Sequence, residues 1–175
     1  MSERAVHNCN ALVLTVGLPR SGKTTWARTM GLPIVSPDEI RQVLHGTAFR
    51  AEAEPMVWAI AKVMVRALFR AGNRAVIVDA CSISEKRRAE WLDDEWTTCV
   101  HSVPTAPEVC IERARADDRP ERVEVIQRRS LDRDDAELKD YPGILTHLDL
   151  VSATAWRVGD CPGCKQEASE RVGPR

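Results

Sequence analysis

Aromatic residues other than tryptophan are scarce in this chain of 175 residues: two Phe and one Tyr stand against five Trp. An excess of one charge is also lacking. Twenty-five Lys and Arg face 26 Asp and Glu, a formal net charge of -1. General attraction to a polyanion is thereby excluded, so any nucleic-acid contact has to come from a local basic patch. No apolar run is long enough to span a bilayer, and the N-terminal MSERAVHNCN lacks the apolar core of a signal peptide. The expectation is a soluble, cytoplasmic protein without membrane partners. There are no internal repeats. Six cysteines at irregular spacing read, in that compartment, as thiols before disulfides.

What is present suffices for one domain. Hydrophobic residues make up 43% and charged residues 29%, enough apolar material for a core. The pattern alternates between strands and helices. Ala11 to Val16 reads as a buried strand, with a helix from Lys23 to about Met30. Pro33 to Val35 is a short second strand. Glu54-Pro55 opens a long helix to Ala71, whose apolar stripe is wide enough to be buried on more than one side. Ala75 to Val78 is the clearest strand and closes in Asp79. Ser82-Ile83-Ser84-Glu85 fits a capping box opening a helix toward Trp96, and Thr105-Ala106-Pro107-Glu108 fits another, opening a helix to about Arg115. Between them Thr98 to Val103 is a fourth strand. Val123 to Arg133 is helical, and His147 to Val151 a fifth strand. This order implies an α/β fold: a parallel sheet with helices on both faces. The domain is expected over residues 1–158, with a polar tail over 159–175.

Gly17-Leu18-Pro19-Arg20-Ser21-Gly22-Lys23-Thr24 fits G-x-x-x-x-G-K-[ST] without a mismatch, between a buried strand and a helix. Glycines let the backbone wrap a phosphate so that successive N–H groups point inward, and the helix N-terminus adds partial positive charge. Lys23 would reach the β- and γ-phosphates, and the Thr24 hydroxyl would ligate their magnesium ion. Thr25 belongs to the same binding set. No G-x-G-x-x-G supports a dinucleotide fold, and no N-K-x-D run supports a guanine preference.

Beyond the loop, Asp38 falls just past a strand's carboxyl end, the ligand-binding edge of an open parallel sheet. A carboxylate there can accept the proton of an attacking hydroxyl, and Arg41, one helical turn on, can hold an acceptor's phosphate. Alternatively, Asp38 caps the next helix and Arg41 is solvated. Asp79 suits a magnesium-water or arginine-orienting carboxylate, or a structural strand end. From Arg113 to Arg133 seven arginines stand against five acids, an excess too small for a duplex-binding patch. It suits a lid, about residues 115–124, bringing guanidiniums onto a transferring phosphoryl group, or else a salt-bridged surface helix.

These parts in this order resemble the P-loop kinases of the polynucleotide kinase group over about residues 11–150. The group's G-x-P-x-S-G-K-[ST] loop is matched by Gly17, Pro19, Ser21, Gly22, Lys23 and Thr24, and its S-x-D-x-x-R segment by Ser36, Asp38 and Arg41. Its strand ending in Asp before an Arg-containing helix is similar to Asp79 and Lys86-Arg87-Arg88, and its lid arginines four apart are matched by Arg115 and Arg119. The resemblance implies ATP and Mg2+ as cofactors, Asp38 as general base, Arg41 on the acceptor, and Arg115 and Arg119 on the donor phosphates. Many end-healing members carry a phosphatase or ligase domain, for which this chain has no room. The same fold serves phage enzymes that phosphorylate the hydroxymethyl group of hydroxymethyluracil in DNA, which would place the protein in a host cytoplasm. The expected acceptor is a hydroxyl on a nucleic acid, DNA ahead of RNA. A small-molecule kinase and a nucleotide-dependent switch are the alternatives.

Two weaker signals remain. Cys161-Pro-Gly-Cys164 is half of a zinc set at most and reads first as two free thiols. Trp91 and Trp96 pack against the sheet or, less simply, stack a base.

Overall fold

The computed structural model describes residues 10–46 and 49–131. The expected strand over 147–151, the tail over 159–175 with Cys161 and Cys164, and the end of the helix expected to reach Arg133 lie outside the described residues.

The elements run β1 (Ala11–Val16), α1 (Lys23–Thr29), β2 (Ile34–Val35), α2 (Pro37–His45), α3 (Glu54–Arg70), β3 (Ala75–Val78), α4 (Glu85–Ala89), β4 (Thr97–Ser102), α5 (Pro107–Ala116) and α6 (Glu121–Leu131). The four strands form one parallel sheet in the order β2-β3-β1-β4. Every residue of β1 and β3 is buried. That explains their unbroken apolar runs, because a parallel strand covered on both faces has no solvent side to mark with polar residues.

The period of two divides the core. Leu12, Leu14, Val76 and Val78 face α3, which buries Val57, Ala61, Val65 and Phe69 against them. Ala11, Val13, Ala75, Ile77 and Cys99 face α1 and its Ala27. A third cluster joins Leu18 and Ile83 to Cys110, Ala114 and Ile126, seating the α5–α6 pair beside the loop after β1.

β1 leads through α1 toward β2, whereas β3 leads through α4 across β1 to β4. The chain therefore leaves neighbouring strands in opposite directions at the carboxyl ends of β1 and β3. A crevice at such a switch point is where open parallel sheets bind ligands.

Three local expectations are corrected. The helix expected to run toward Trp96 stops at Ala89. Asp93 and Asp94 favour a turn over helix, and Arg66 of α3 binds Asp93 at 2.5 Å and Glu95 at 3.2 Å, holding the chain in that turn. Its cap is Ser84, without a side-chain bond, so Ser82 forms no capping box. Thr105 does not cap α5 either; the cap is Ala106, and the Thr105 hydroxyl is spent elsewhere, as described below. Trp91 and Trp96 are buried in the α3-side core, with the Trp96 ring N–H donating to the Trp91 carbonyl at 2.8 Å. They pack against the sheet and present no face for a base.

Candidate active site

The loop from Gly17 to Gly22 turns tightly between β1 and α1. A Cβ on Gly17 would lie 2.8 Å from both Ser21 Oγ and the Val103 carbonyl, so this position admits no side chain without displacing backbone. Gly22 caps α1 at φ +107°, in the region that favours glycine. Leu18 has its side chain buried in the third core cluster, so it can offer a ligand only its backbone. Lys23 is buried, and its ammonium donates to the Leu18 carbonyl at 2.6 Å, which fixes a cation inside the loop.

The loop is also held from outside. Thr105 Oγ1 donates to the Ser21 carbonyl at 2.8 Å. Arg113 Nη1 donates to the Arg20 carbonyl at 3.1 Å and the Ser21 carbonyl at 3.4 Å. Arg20, at φ +67°, pairs its guanidinium with Asp117 at the end of α5. The Gly17 and Ser21 N–H groups are spent on the Cys81 and Leu18 carbonyls, at 3.3 and 3.1 Å, so the N–H groups that can face an anion are those from Gly22 into the first turn of α1.

The Thr24 hydroxyl donates to Asp79 Oδ2 at 2.6 Å, joining the first turn of α1 to the end of β3. Asp79 is buried, and its backbone N–H donates to the Val35 carbonyl at 3.0 Å. Thr15, a lone hydroxyl in an apolar strand, donates to the Ala80 carbonyl at 2.8 Å and accepts from the Ala80 N–H at 3.1 Å. A hydroxyl and a carboxylate at the N-terminus of α1 are the hard oxygen donors that magnesium takes, so Thr24 and Asp79 fit a magnesium ion carried by phosphates. Thr25 is exposed beside them.

Across the crevice, Ser36 caps α2, its Oγ accepting from the Glu39 N–H at 3.3 Å. The cap is therefore Ser36 and not Asp38. The Asp38 side chain is 74% exposed and accepts from Arg41 Nη1 at 2.5 Å. Arg41 differs from its expected role. Its side chain is only 10% exposed, and its Nε and Nη2 donate to the two oxygens of Glu54 at 2.7 Å each. All three nitrogens of the guanidinium are engaged, so Arg41 orients Asp38 and has little left for an acceptor. The bond to Arg41, reinforced by its charge and by the Trp58 N–H at 3.0 Å, holds the Glu54 carboxyl below its ordinary range despite partial burial. The same bond with Glu54 raises the Arg41 pKa further.

The basic cluster opening α4 divides. Lys86 is exposed. Arg87 lies 4.6 Å from the Trp58 ring centroid and binds Glu90 at 2.8 Å. Arg88 is wholly buried and donates to the Ser82 and Ile83 carbonyls at 3.2 and 2.5 Å. It pins the loop after Asp79 and cannot meet acceptor phosphates. Arg115 and Arg119 are exposed on either side of the turn between α5 and α6, Arg119 facing Glu121 at 3.8 Å. Arg113, two residues earlier, is the arginine of this stretch that bonds the phosphate loop. An open depression of about 500 Å³, lined by Leu92, Asp93, Asp94, Trp96 and Thr98, sits at the amino end of β4, away from these groups.

A family profile described as an AAA domain matches residues 12–138. The chain belongs to this AAA domain family. Its parallel sheet with helices around the phosphate loop is the α/β fold of the P-loop kinases, of the polynucleotide kinase type. Among solved structures, the AAA domain is similar to a chain of the Pnkp1/Rnl/Hen1 RNA repair complex, at 15% identity and a TM-score of 0.55, covering 74% of this chain and 49% of that one. A further Pnkp1/Rnl/Hen1 chain matches at 22% identity and a TM-score of 0.56, covering 63% and 41%. A protein of Chloroflexus aurantiacus provisionally assigned as a kinase matches at 21% and 0.50, covering 68% and 75%. The AAA domain thus spans about half or less of the RNA repair chains it resembles. No curated protein matches the sequence. Among the described residues, no helix is long and apolar enough to cross a membrane.

Proposed function

We propose that this kinase transfers the γ-phosphoryl group of ATP to a hydroxyl on a nucleic acid, either a 5′-OH end or the hydroxymethyl group of 5-hydroxymethyluracil in DNA. The observation that carries the reading is the Asp38–Arg41 pair. It opens α2 directly after β2, the strand whose Val35 carbonyl accepts the Asp79 N–H. An exposed carboxylate held by an arginine thus stands one strand end away from the metal-ligating pair. In this reading Lys23 and the loop N–H groups from Gly22 to Thr24 bind the donor phosphates. Thr24 and Asp79 would hold magnesium, which neutralises charge developing on the phosphates. Asp38 accepts the proton of the acceptor hydroxyl as its oxygen attacks the γ-phosphorus and ADP leaves, and Arg41 keeps that carboxylate aimed. Arg115 and Arg119 close over the donor phosphates. Lys86 and Arg87 take one or two acceptor phosphates.

The RNA repair complex in which similar folds occur supports a polynucleotide acceptor and makes RNA an alternative to DNA. One observation favours a small-molecule acceptor instead. With Arg88 buried and Arg41 occupied by Glu54, the basic footprint on the acceptor side is reduced to two side chains.

Labelled ATP offered to 5′-OH DNA, 5′-OH RNA, DNA carrying hydroxymethyluracil and a panel of metabolites separates these readings. Label entering a polynucleotide, with a salt slope near 1.4 for two contacted phosphates at about 0.7 each, is expected. Label entering a metabolite while every polynucleotide is ignored would overturn the acceptor assignment. Hydrolysis without any labelled acceptor would favour the switch.

A further inference from the structure

We propose that α3 is a dimerisation helix, on which two copies of this chain pair antiparallel along the stripe Met56, Ile60, Val63 and Ala67. The inference is independent of the acceptor chemistry.

α3 is apolar on two opposite sides. Its inner side packs on the sheet through Val57, Ala61, Val65 and Phe69. Its outer side carries Met56, Val63 and Met64, which are 49%, 64% and 40% exposed, together with exposed Ala59 and Ala67 and half-buried Ile60. The wide stripe expected from the sequence packs on the core, with Trp58, Ile60 and Leu68 flanking its buried residues, while the opposite side stays exposed among the described residues. No charged side chain interrupts the outer face between Met56 and Ala67, a length of about 16 Å at 1.5 Å per residue. A monomer seldom leaves a continuous apolar face of this kind in water.

The spacing suggests what covers it. Met56, Ile60, Val63 and Ala67 step by four, three and four residues. That is the seam one helix presents to another in knobs-into-holes packing. The seam is also nearly symmetric about its midpoint between Ile60 and Val63, so a two-fold axis there sets Met56 against Ala67 and Ile60 against Val63.

Charge selects the antiparallel arrangement. Glu52 lies just before the helix and Arg70 ends it, on the same edge of the seam. Both are exposed, and neither has an ion-pair partner among the described residues. Antiparallel pairing brings Glu52 of each copy to Arg70 of the other, twice per dimer. Parallel pairing would set each of them across from the opposite, uncharged edge of the partner's seam, so neither charge would meet its counterpart.

Sedimentation of the full chain across the micromolar range tests this. The wild type is expected to pass from monomer to dimer as concentration rises. Val63→Lys is expected to remain monomeric with an unchanged circular dichroism spectrum and melting temperature. Glu52→Arg and Arg70→Glu are each expected to weaken dimerisation about tenfold, and the double exchange to restore it. A wild type that stays monomeric, a Val63→Lys variant that still dimerises, or a double exchange that fails to rescue would each overturn the proposal. A monomeric wild type whose Val63→Lys variant melts lower would place residues 132–175, and not a second copy, over the stripe.

Discussion

The donor and acceptor halves of the candidate site are built differently. The donor half is continuous: Gly17 to Thr24 is one run of chain, and its key contacts are to backbone or to a buried carboxylate. Lys23 meets a loop carbonyl at 2.6 Å, and Thr24 meets Asp79 at 2.6 Å. The acceptor half is assembled from side chains on three helices. Asp38 and Arg41 come from α2, Glu54 and Trp58 from α3, and Arg87 from α4. Every nucleotide triphosphate presents the same phosphates, so a backbone cradle serves for the donor. Acceptors differ in shape and charge, and only side chains can be varied to suit them. A P-loop kinase can therefore keep one half while changing the other.

The sharpest way to break this contrast is at the donor. Lys23→Ala removes the cation fixed inside the loop, and phosphoryl transfer is expected to fall below detection with weakened ATP binding. Turnover near wild type in a labelled-ATP assay would mean that the loop is not the donor site.

The acceptor half should respond differently. Asp38→Asn is expected to lower kcat about 10²–10⁴-fold while leaving ATP affinity nearly unchanged, because a general base acts on the acceptor's proton. Nucleotide titration alongside steady-state kinetics checks this. An equal loss in ATP binding would move Asp38 to the metal or to a structural role.

Arg113→Ala sharpens the claim that the donor cradle is braced from α5. It removes hydrogen bonds to the Arg20 and Ser21 carbonyls, each contributing about 1 kcal/mol. ATP KM is expected to rise about fivefold to tenfold with kcat spared, and Arg113→Lys to recover part of the loss. A loss confined to kcat would instead make Arg113 a lid arginine.

The smallest effect concerns pH and the Glu54–Arg41 bond. The Glu54 carboxyl is held below its ordinary value near 4.5, so its ionised form is favoured by folding. Its contribution to stability is complete above that value and is lost as pH falls through the lowered one. Arg41, shifted upward, stays charged throughout and adds no dependence near neutrality. Denaturant melts of wild type and Glu54→Gln should therefore differ by a constant amount from neutrality down to about pH 5, and the difference should shrink as pH falls below 4.5 through the lowered value. A constant difference at every pH would mean that the Glu54 charge is not what Arg41 senses.

These halves were not equally legible. The phosphate loop could be read because its constraints are local: a glycine where a Cβ meets backbone, a lysine and a hydroxyl at fixed offsets, a buried strand before and a helix after. Asp79 followed from the same logic, as the first polar residue closing an apolar strand. Local reading misled where a polar side chain had a distant partner. Thr105 matched a capping box, yet its hydroxyl bonds Ser21, 84 residues away in sequence. Arg88 stands in a run of three basic residues, a setting that locally favours the surface, yet it is buried under the loop it pins.

The sequence by itself determined the parallel α/β sheet, the phosphate loop and the alternation of strands and helices that sets its carboxyl edge, because periodicity and short-range sterics act within a few residues. Only the tertiary structure decided that Glu54 takes Arg41, that Arg113 and Thr105 brace the loop, and that α3 keeps an apolar face outward. Ion pairs, buried hydrogen bonds and packing form between groups far apart along the chain. Their geometry exists only once the sheet has brought α2, α3, α4 and α5 together.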